Sequence, residues 1–214
     1  RIDAFFNGEI ERIIQLNLDP IVASPNKQVN ILSNDKNCSV QITNNSLYDT
    51  SLIWIEKINH PVEPKGGTRL SSVYQLQPFE LALKDTIRIG IRYGNKIKNM
   101  KNISLYYYNQ KHGWTFLPSS MHSNRQIISS TLFSLDAITI MQDIEPPFIR
   151  KVFPEDGGKF HYKDLKTISI IADDYLSGLN SNEKSMEIKL DGLTVRYAFQ
   201  PIKKELSYYL PTPL

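Results

Sequence analysis

The residues best suited to bind a metal ion lie in one short acidic loop. Asp173 and Asp174 follow an apolar run that ends at Ala172, and Asn180 lies nearby. Carboxylate and amide oxygens in a loop are the hard ligands that calcium prefers. The competing interpretation is a turn in which the Asp174 side chain bonds the loop backbone and Gly178 adopts a positive φ. The sequence favours the turn, with calcium as the alternative and no other cofactor predicted.

Three aromatic residues are candidates for contact with a sugar. Tyr106 and Tyr108 alternate with apolar residues on a predicted strand, so both are expected to point away from the core. Trp114 follows across a polar turn. Neighbouring aromatic faces on a sheet stack on sugars or form a protein interface. The alternative is that the rings pack against a loop or a neighbouring module, and their solvent exposure distinguishes the two.

The sequence contains few of the motifs that indicate an enzyme. No pair of histidines has zinc-ligand spacing, and zinc needs three or four converging ligands. Neither a Gly-x-Ser-x-Gly elbow nor a phosphate-binding loop occurs. Cys38 lies in an alternating segment and is predicted to be a small packed side chain. We therefore predict that this segment is not an enzyme, with a glycosidase carboxylate pair from distant strands as the remaining alternative.

Composition narrows the class of protein. The chain has 214 residues, of which 41% are hydrophobic and 22% charged, which is typical of one or two globular domains. A net charge of +3, with its densest basic group at Lys96, Lys98 and Lys101, predicts no nucleic-acid partner.

No apolar run approaches the ~20 residues of a membrane span. The single cysteine excludes an intrachain disulfide. Because the first residue is Arg1 rather than Met, we expect a segment of a longer protein.

The elements that hold these residues are predicted to be strands. Helical periodicity is nearly absent, and Asn7-Gly8 favours a hairpin over a helix for the opening segment. Short alternating runs separated by turn residues predict a β-sandwich or barrel. The predicted strands are 29–32, 38–43, 51–58, 72–76, 86–93, 102–108, 114–117, 126–130, 137–142, 148–153, 167–172, 186–190 and 193–199.

The predicted fold class is all-β, with two consecutive immunoglobulin-like β-sandwich modules, the second incomplete. Residues 1–25 are interpreted as an N-terminal strand or linker, or as the tail of an upstream module, and 26–144 as the first sandwich. The stiff segment 145–147, Glu-Pro-Pro, separates it from a second module at 148–214. That module is shorter than the ~100 residues of an immunoglobulin sandwich. We expect it to be truncated or completed by a partner, with 208–214 leading to strands outside this chain.

Two regions resemble known module types. The first runs from 54 to 143 and resembles β-sandwich modules of the ankyrin and netrin-receptor type in bacterial multidomain surface proteins. The second runs from 147 to 199 and is similar to bacterial immunoglobulin-like repeats. The matching residues of the first are Tyr74, Leu76, Pro78, Leu105, Tyr106, Tyr108, Gly113, Trp114, Leu117 and Pro118; those of the second are Asp174, Ser177, Gly178, Leu190, Asp191 and Gly192.

Tandem modules of these kinds resemble the appendages found C-terminal to LytM-type zinc metallopeptidase domains in bacterial envelope proteins. The His-x-x-x-Asp and His-x-His motifs of that family are absent from this sequence. The resemblance implies a non-catalytic spacer or adhesive region, located outside the cytoplasm. Its expected partners are neighbouring domains of the same chain and cell-wall glycan or another envelope protein. The alternatives are a carbohydrate-binding module and the targeting region of a cell-wall peptidase.

Overall fold

The computed structural model describes residues 2–6, 9–14, 19–94, 100–161, 163–179 and 186–211, with the backbone alone for 2–14. Nearly all regular structure is antiparallel β-strand, so the predicted all-β class is confirmed. The chain divides into two compact units. The first consists of Arg1–Pro64 and Thr68–Gln142, and the second of Lys65–Gly67 and Asp143–Leu214.

The first unit carries most of the strands and one short 3₁₀ turn. An N-terminal hairpin pairs the first two strands, which confirms the strand interpretation of the opening segment; Asn7 and Gly8 themselves lie outside the described residues. The strands are β1 Ile2–Phe6, β2 Glu9–Ile14, β3 Ile21–Ala23, β4 Val29–Leu32, β5 Cys38–Ile42, β6 Ser51–Ile58, β7 Gly67–Arg69, β8 Val73–Gln77, β9 Ile87–Arg92, β10 Ile103–Asn109, β11 Gly113–Leu117, β12 Ser120–His122, β13 Ile127–Leu132 and β14 Ile138–Asp143, with the 3₁₀ turn at Ser123–Arg125.

Two sheets of this unit pack face to face around one apolar core. One sheet has the order β11-β10-β14-β8-β6-β3, with β7 also pairing β14, and the other has the order β12-β13-β9-β5-β4. Both sheets contribute to the core, for example Ile55 and Leu105 from the first and Ile89 and Ile128 from the second. Burial of such side chains is the main driving force for this arrangement. The short β3 lies at the sheet edge, within the segment assigned above to a strand or linker.

Side-chain alternation decides which face of each sheet meets solvent. On β9, Ile87, Ile89 and Ile91 are buried in the core, whereas Arg88 and Arg92 are exposed. Successive side chains of a strand point to opposite faces of the sheet. The apolar residues at every second position of β9 therefore form its buried face, as their alternation in the sequence predicts.

The second unit contains a four-stranded sheet and a separate hairpin. The sheet has the order β15-β16-β20-β19, formed by β15 Phe148–Phe153, β16 Thr167–Asp173, β19 Ala198–Gln200 and β20 Glu205–Tyr209. The hairpin joins β17 Ile188–Leu190 to β18 Leu193–Val195. Asp191 and Gly192 both have positive φ, at 51° and 81°, as the two-residue turn predicted for Asp-Gly requires.

One prediction for the second unit is wrong. Residues 208 and 209 were expected to lead away from the module, but they end β20, which pairs with β16 on one side and β19 on the other. The incompleteness of this module stays a prediction. The described part of the chain contains no helix with the length and hydrophobicity of a transmembrane crossing.

Candidate functional site

The three candidate sugar-binding rings lie on the outer face of the larger sheet. Leu105 belongs to the core, so its neighbour Tyr106 points to the opposite face, as predicted. Two of the rings are nevertheless buried, as the alternative of packing against a loop or a neighbouring strand describes. Tyr106 is 1% exposed and Trp114 is 7% exposed. Only Tyr108 retains partial access to solvent.

The segment that precedes β7, together with Arg69 of β7, covers two of these rings, Tyr108 and Trp114. The His60 ring centroid lies 4.2 Å from that of Tyr108 and 4.9 Å from that of Trp114. The Trp114 indole donates a hydrogen bond from Nε1 to the Val62 carbonyl oxygen at 2.8 Å. The Arg69 guanidinium also donates to this carbonyl and lies 5.4 Å from the Trp114 ring centroid. We call these five residues the aromatic cluster.

The rings of the aromatic cluster pack against one another at steep angles. Its ring planes meet at 55° to 69°, whereas stacking on a sugar requires accessible, roughly coplanar faces. Burial, together with the nearby Arg69 charge, lowers the pKa of His60, so the neutral ring is favoured. The covering loop packs on Tyr108 and Trp114, whereas Tyr106 packs against Phe116 at a centroid distance of 5.7 Å. A carbohydrate site made of Tyr106, Tyr108 and Trp114 stays a prediction.

The acidic loop of the second unit is held by its own backbone. Asp174 Oδ1 accepts hydrogen bonds from the amides of Leu176 at 2.8 Å and Gly178 at 2.9 Å. Gly178 has a φ of 77°, which a residue with a side chain rarely adopts. Its neighbour Ser177 donates its amide to Asp143 Oδ2 at 3.2 Å. These bonds are those of the turn that the sequence favoured over a metal site.

The carboxylate of Asp173 already faces two cations. Lys204 Nζ donates to Oδ1, and Arg150 lies 3.2 Å from Oδ2. Burial alone would raise the pKa of Asp173, but the hydrogen bonds and charges of Lys204 and Arg150, with the Asp174 amide, outweigh it and lower the pKa. A calcium ion would have to displace these cations. Asn180, the third proposed ligand, lies outside the described residues, within which no cluster of three acidic, histidine or cysteine side chains is placed to hold a metal.

An acidic network links the two sheets of the first unit. The Asp35 carboxylate accepts hydrogen bonds from Ser33 Oγ at 2.7 Å, from the Asn37 amide at 3.1 Å and from the Tyr74 hydroxyl at 2.8 Å. Burial opposes ionisation of Asp35, but these bonds outweigh it and lower its pKa. Burial and the bond to Asp35 raise the pKa of Tyr74. The sequence carries no signal that pairs Asp35 with Tyr74, which lies 39 residues further along the chain.

Cys38 begins the strand that follows this turn, and it is fully buried. Burial, with a contribution from the Asp35 charge, raises the pKa of its thiol, so the reactive thiolate is disfavoured. Its amide donates to Ser33 Oγ at 2.9 Å. The side chain packs in the core, as the sequence predicted.

A groove of about 860 Å³ crosses the outer face of the smaller sheet. Gly90 of β9 forms part of its floor, flanked by Ser39 of β5 and Ser129 of β13. Two arginines, Arg88 and Arg125, line it. We call this feature the outer groove. The sequence gives no signal of this groove, because its lining comes from three stretches far apart in the chain, 30–41, 88–90 and 118–131.

No family model matches the sequence, and no curated protein shows significant similarity to it.

Proposed function

We propose that this segment is a non-catalytic spacer and adhesive region of a bacterial surface or secreted multidomain protein, located outside the cytoplasm. It would hold a remote domain at a distance and contact the cell envelope. The proposal rests on the two β-rich units and on the resemblance of their motifs to tandem envelope modules.

The observation that carries the proposal is that side chains capable of chemistry have structural roles instead. Asp174 closes a turn, Asp35 bridges two sheets, Trp114 fastens a loop and Cys38 fills the core. Each is engaged by backbone or neighbouring side chains, as expected of residues that stabilise a scaffold. Arg88, Arg125 and Thr131 of the outer groove are instead exposed to solvent, which is where a binding module needs polar side chains.

Sedimentation with purified bacterial cell-wall sacculi tests the adhesive role. The purified chain should appear in the pellet in proportion to the amount of sacculi, and an unrelated β-sandwich protein of similar net charge should stay in the supernatant. Recovery of the chain only in the supernatant would contradict envelope adhesion. Release of soluble muropeptides or sugars from the sacculi would contradict the non-catalytic assignment.

A further inference from the structure

The outer groove is lined by a cross-strand row of small polar side chains. Register places Ser39 and Ser129 on either side of Gly90, and Ser120 pairs with Ser129 at the edge of the sheet. The neighbouring row pairs Arg88 with Gln41 on one side and with Thr131 on the other. Hydroxyl, amide and guanidinium groups therefore face outward from adjacent strands about 4.8 Å apart.

The floor of the outer groove depends on the absence of a side chain at Gly90. A Cβ atom at this position would lie 3.0 Å from Ile127 Cγ2 and 3.2 Å from Ser39 Oγ. Both distances are tighter than ordinary contacts, so the glycine lets the Ile127 and Ser39 side chains pack closely over the centre of the row. At one side, His122 Nε2 and Ser129 Oγ are joined by a hydrogen bond of 2.9 Å, which orients the imidazole along the groove wall.

The charge of the outer groove has one sign. Arg88 and Arg125 line it, and none of the described lining residues is an aspartate or a glutamate. Among the salt bridges of the described residues, none involves either arginine. A guanidinium presents a planar fork of donors that matches a carboxylate in two parallel hydrogen bonds. The groove is thus complementary to an anion that also offers many hydroxyl groups.

The hydroxyl, amide and guanidinium groups of the outer groove favour one class of polymer as its ligand. The face of a paired sheet offers no free backbone groups, so an extended peptide cannot add a strand there. None of the described lining residues is a phenylalanine, tyrosine or tryptophan, whose large rings are the usual platforms on which nucleic-acid bases stack. A polysaccharide with carboxylate groups supplies hydroxyls for the serine, threonine and amide side chains and anions for the arginines.

We propose that the outer groove binds an acidic, carboxylate-bearing polysaccharide. This inference deepens the proposed function, on which it rests, by naming the chemistry of the envelope partner and the residues that contact it. Arg88 and Arg125 pair with carboxylates, and Ser39, Gln41, Ser129 and Thr131 bond the sugar hydroxyls. The binding is expected to weaken as salt concentration rises, because the groove is open to solvent and its charges are screened.

Titration with a galacturonate oligomer, followed by amide NMR shifts and calorimetry, tests this proposal. Shifts should concentrate on β5, β9, β12 and β13. Arg88→Gln and Arg125→Gln should each weaken binding about fivefold, as expected for loss of one charged partner at an exposed site. Arg196→Gln, an exposed arginine of the second unit, removes the same charge and should leave binding unchanged.

Two further probes separate the contribution of the carboxylate charge to binding from that of the sugar hydroxyls. The methyl ester of the same oligomer keeps the sugar and removes the negative charge, and polyaspartate keeps carboxylates without sugar hydroxyls. Both should bind at least tenfold more weakly than the galacturonate oligomer. Equal binding of either probe, shifts outside the outer groove, or equal weakening by Arg196→Gln would overturn the proposal.

Sedimentation of the Arg88→Gln/Arg125→Gln double variant distinguishes this inference from the proposed function. Weaker sedimentation of the double variant than of the wild type supports the groove as the adhesive site. Undiminished sedimentation of the double variant overturns the groove as that site and leaves envelope adhesion standing. Binding of galacturonate by a wild-type chain that does not sediment supports the groove and contradicts adhesion to sacculi.

Discussion

The Trp114 indole and the Val62 backbone are joined by a hydrogen bond of 2.8 Å, from Nε1 to the carbonyl oxygen. This bond fastens the loop after β6 to the outer face of a sheet whose strand β11 lies far along the chain. Trp54, the other tryptophan, is the natural comparison, since its buried Nε1 finds no acceptor among the described residues.

Trp114→Phe should destabilise the first unit by about 1–3 kcal/mol, because the substitution removes a buried donor and reduces packing against His60. Urea unfolding followed by circular dichroism measures the change. Trp54→Phe is the matched control, and it should change stability by less than about 1 kcal/mol, because it removes a donor that has no partner. Equal losses for the two variants would show that the Val62 bond contributes nothing beyond ring volume.

Tyr74→Phe should make the first unit less stable by about 1 kcal/mol, since it removes the hydroxyl that donates to Asp35 across the sandwich. The same variant should raise the pKa of Asp35 toward its ordinary value, because a bond that favours the charged form is lost. Carboxyl chemical shifts followed through an acid titration report this pKa directly. A pKa unchanged from the wild type would contradict the bond.

Acid should weaken the first unit through the same carboxylate. The pKa of folded Asp35 is lowered, so its ionisation contributes stability that is fully present above the unfolded-state pKa of about 3.9 and is lost as the pH falls through the folded value. Asp35→Asn should flatten the stability curve in this window while lowering stability at neutral pH. Denaturant midpoints at several acidic pH values test this, and parallel wild-type and variant curves would exclude the contribution.

Asp174→Ala should destabilise the second unit by about 1–3 kcal/mol, since the amides of Leu176 and Gly178 lose their acceptor. Asp164→Ala, at an exposed position of the same unit, is the control and should have little effect. Calcium should not raise the melting temperature of the wild type, because Lys204 and Arg150 occupy the Asp173 carboxylate. A clear upward shift with calcium would support the calcium alternative instead.

Cys38 should resist thiol reagents in the native protein, because its side chain is fully buried and its pKa is raised. Its labelling by an aromatic disulfide should follow the unfolding of the first unit and accelerate with denaturant. Labelling of the native chain at the rate of a small free thiol would contradict the buried position. The comparison variant Cys38→Ala should show no labelling at all.

Local patterns in the chain were enough to predict the strand class and several faces. The alternation of Ile87, Ile89 and Ile91 with Arg88 predicts the buried face of β9, because side chains repeat every two residues. Asp191-Gly192 predicts its hairpin because the two-residue turn needs positive φ at both positions. Both patterns depend on only a few neighbouring residues, so they can be recognised without knowledge of the rest of the fold.

Contacts between distant segments lie beyond such patterns. Alternation assigned Tyr106 to the outer face, yet only the packed molecule shows that Trp114 beside it is covered by the loop at His60 and Val62. The Tyr74–Asp35 bond and the outer groove likewise join residues from separate strands. The amino-acid sequence is sufficient to predict which segments are strands and which of their side chains share a face, since both follow from local backbone geometry. Burial, partners and cavities depend on which strands meet, and long-range packing alone decides that.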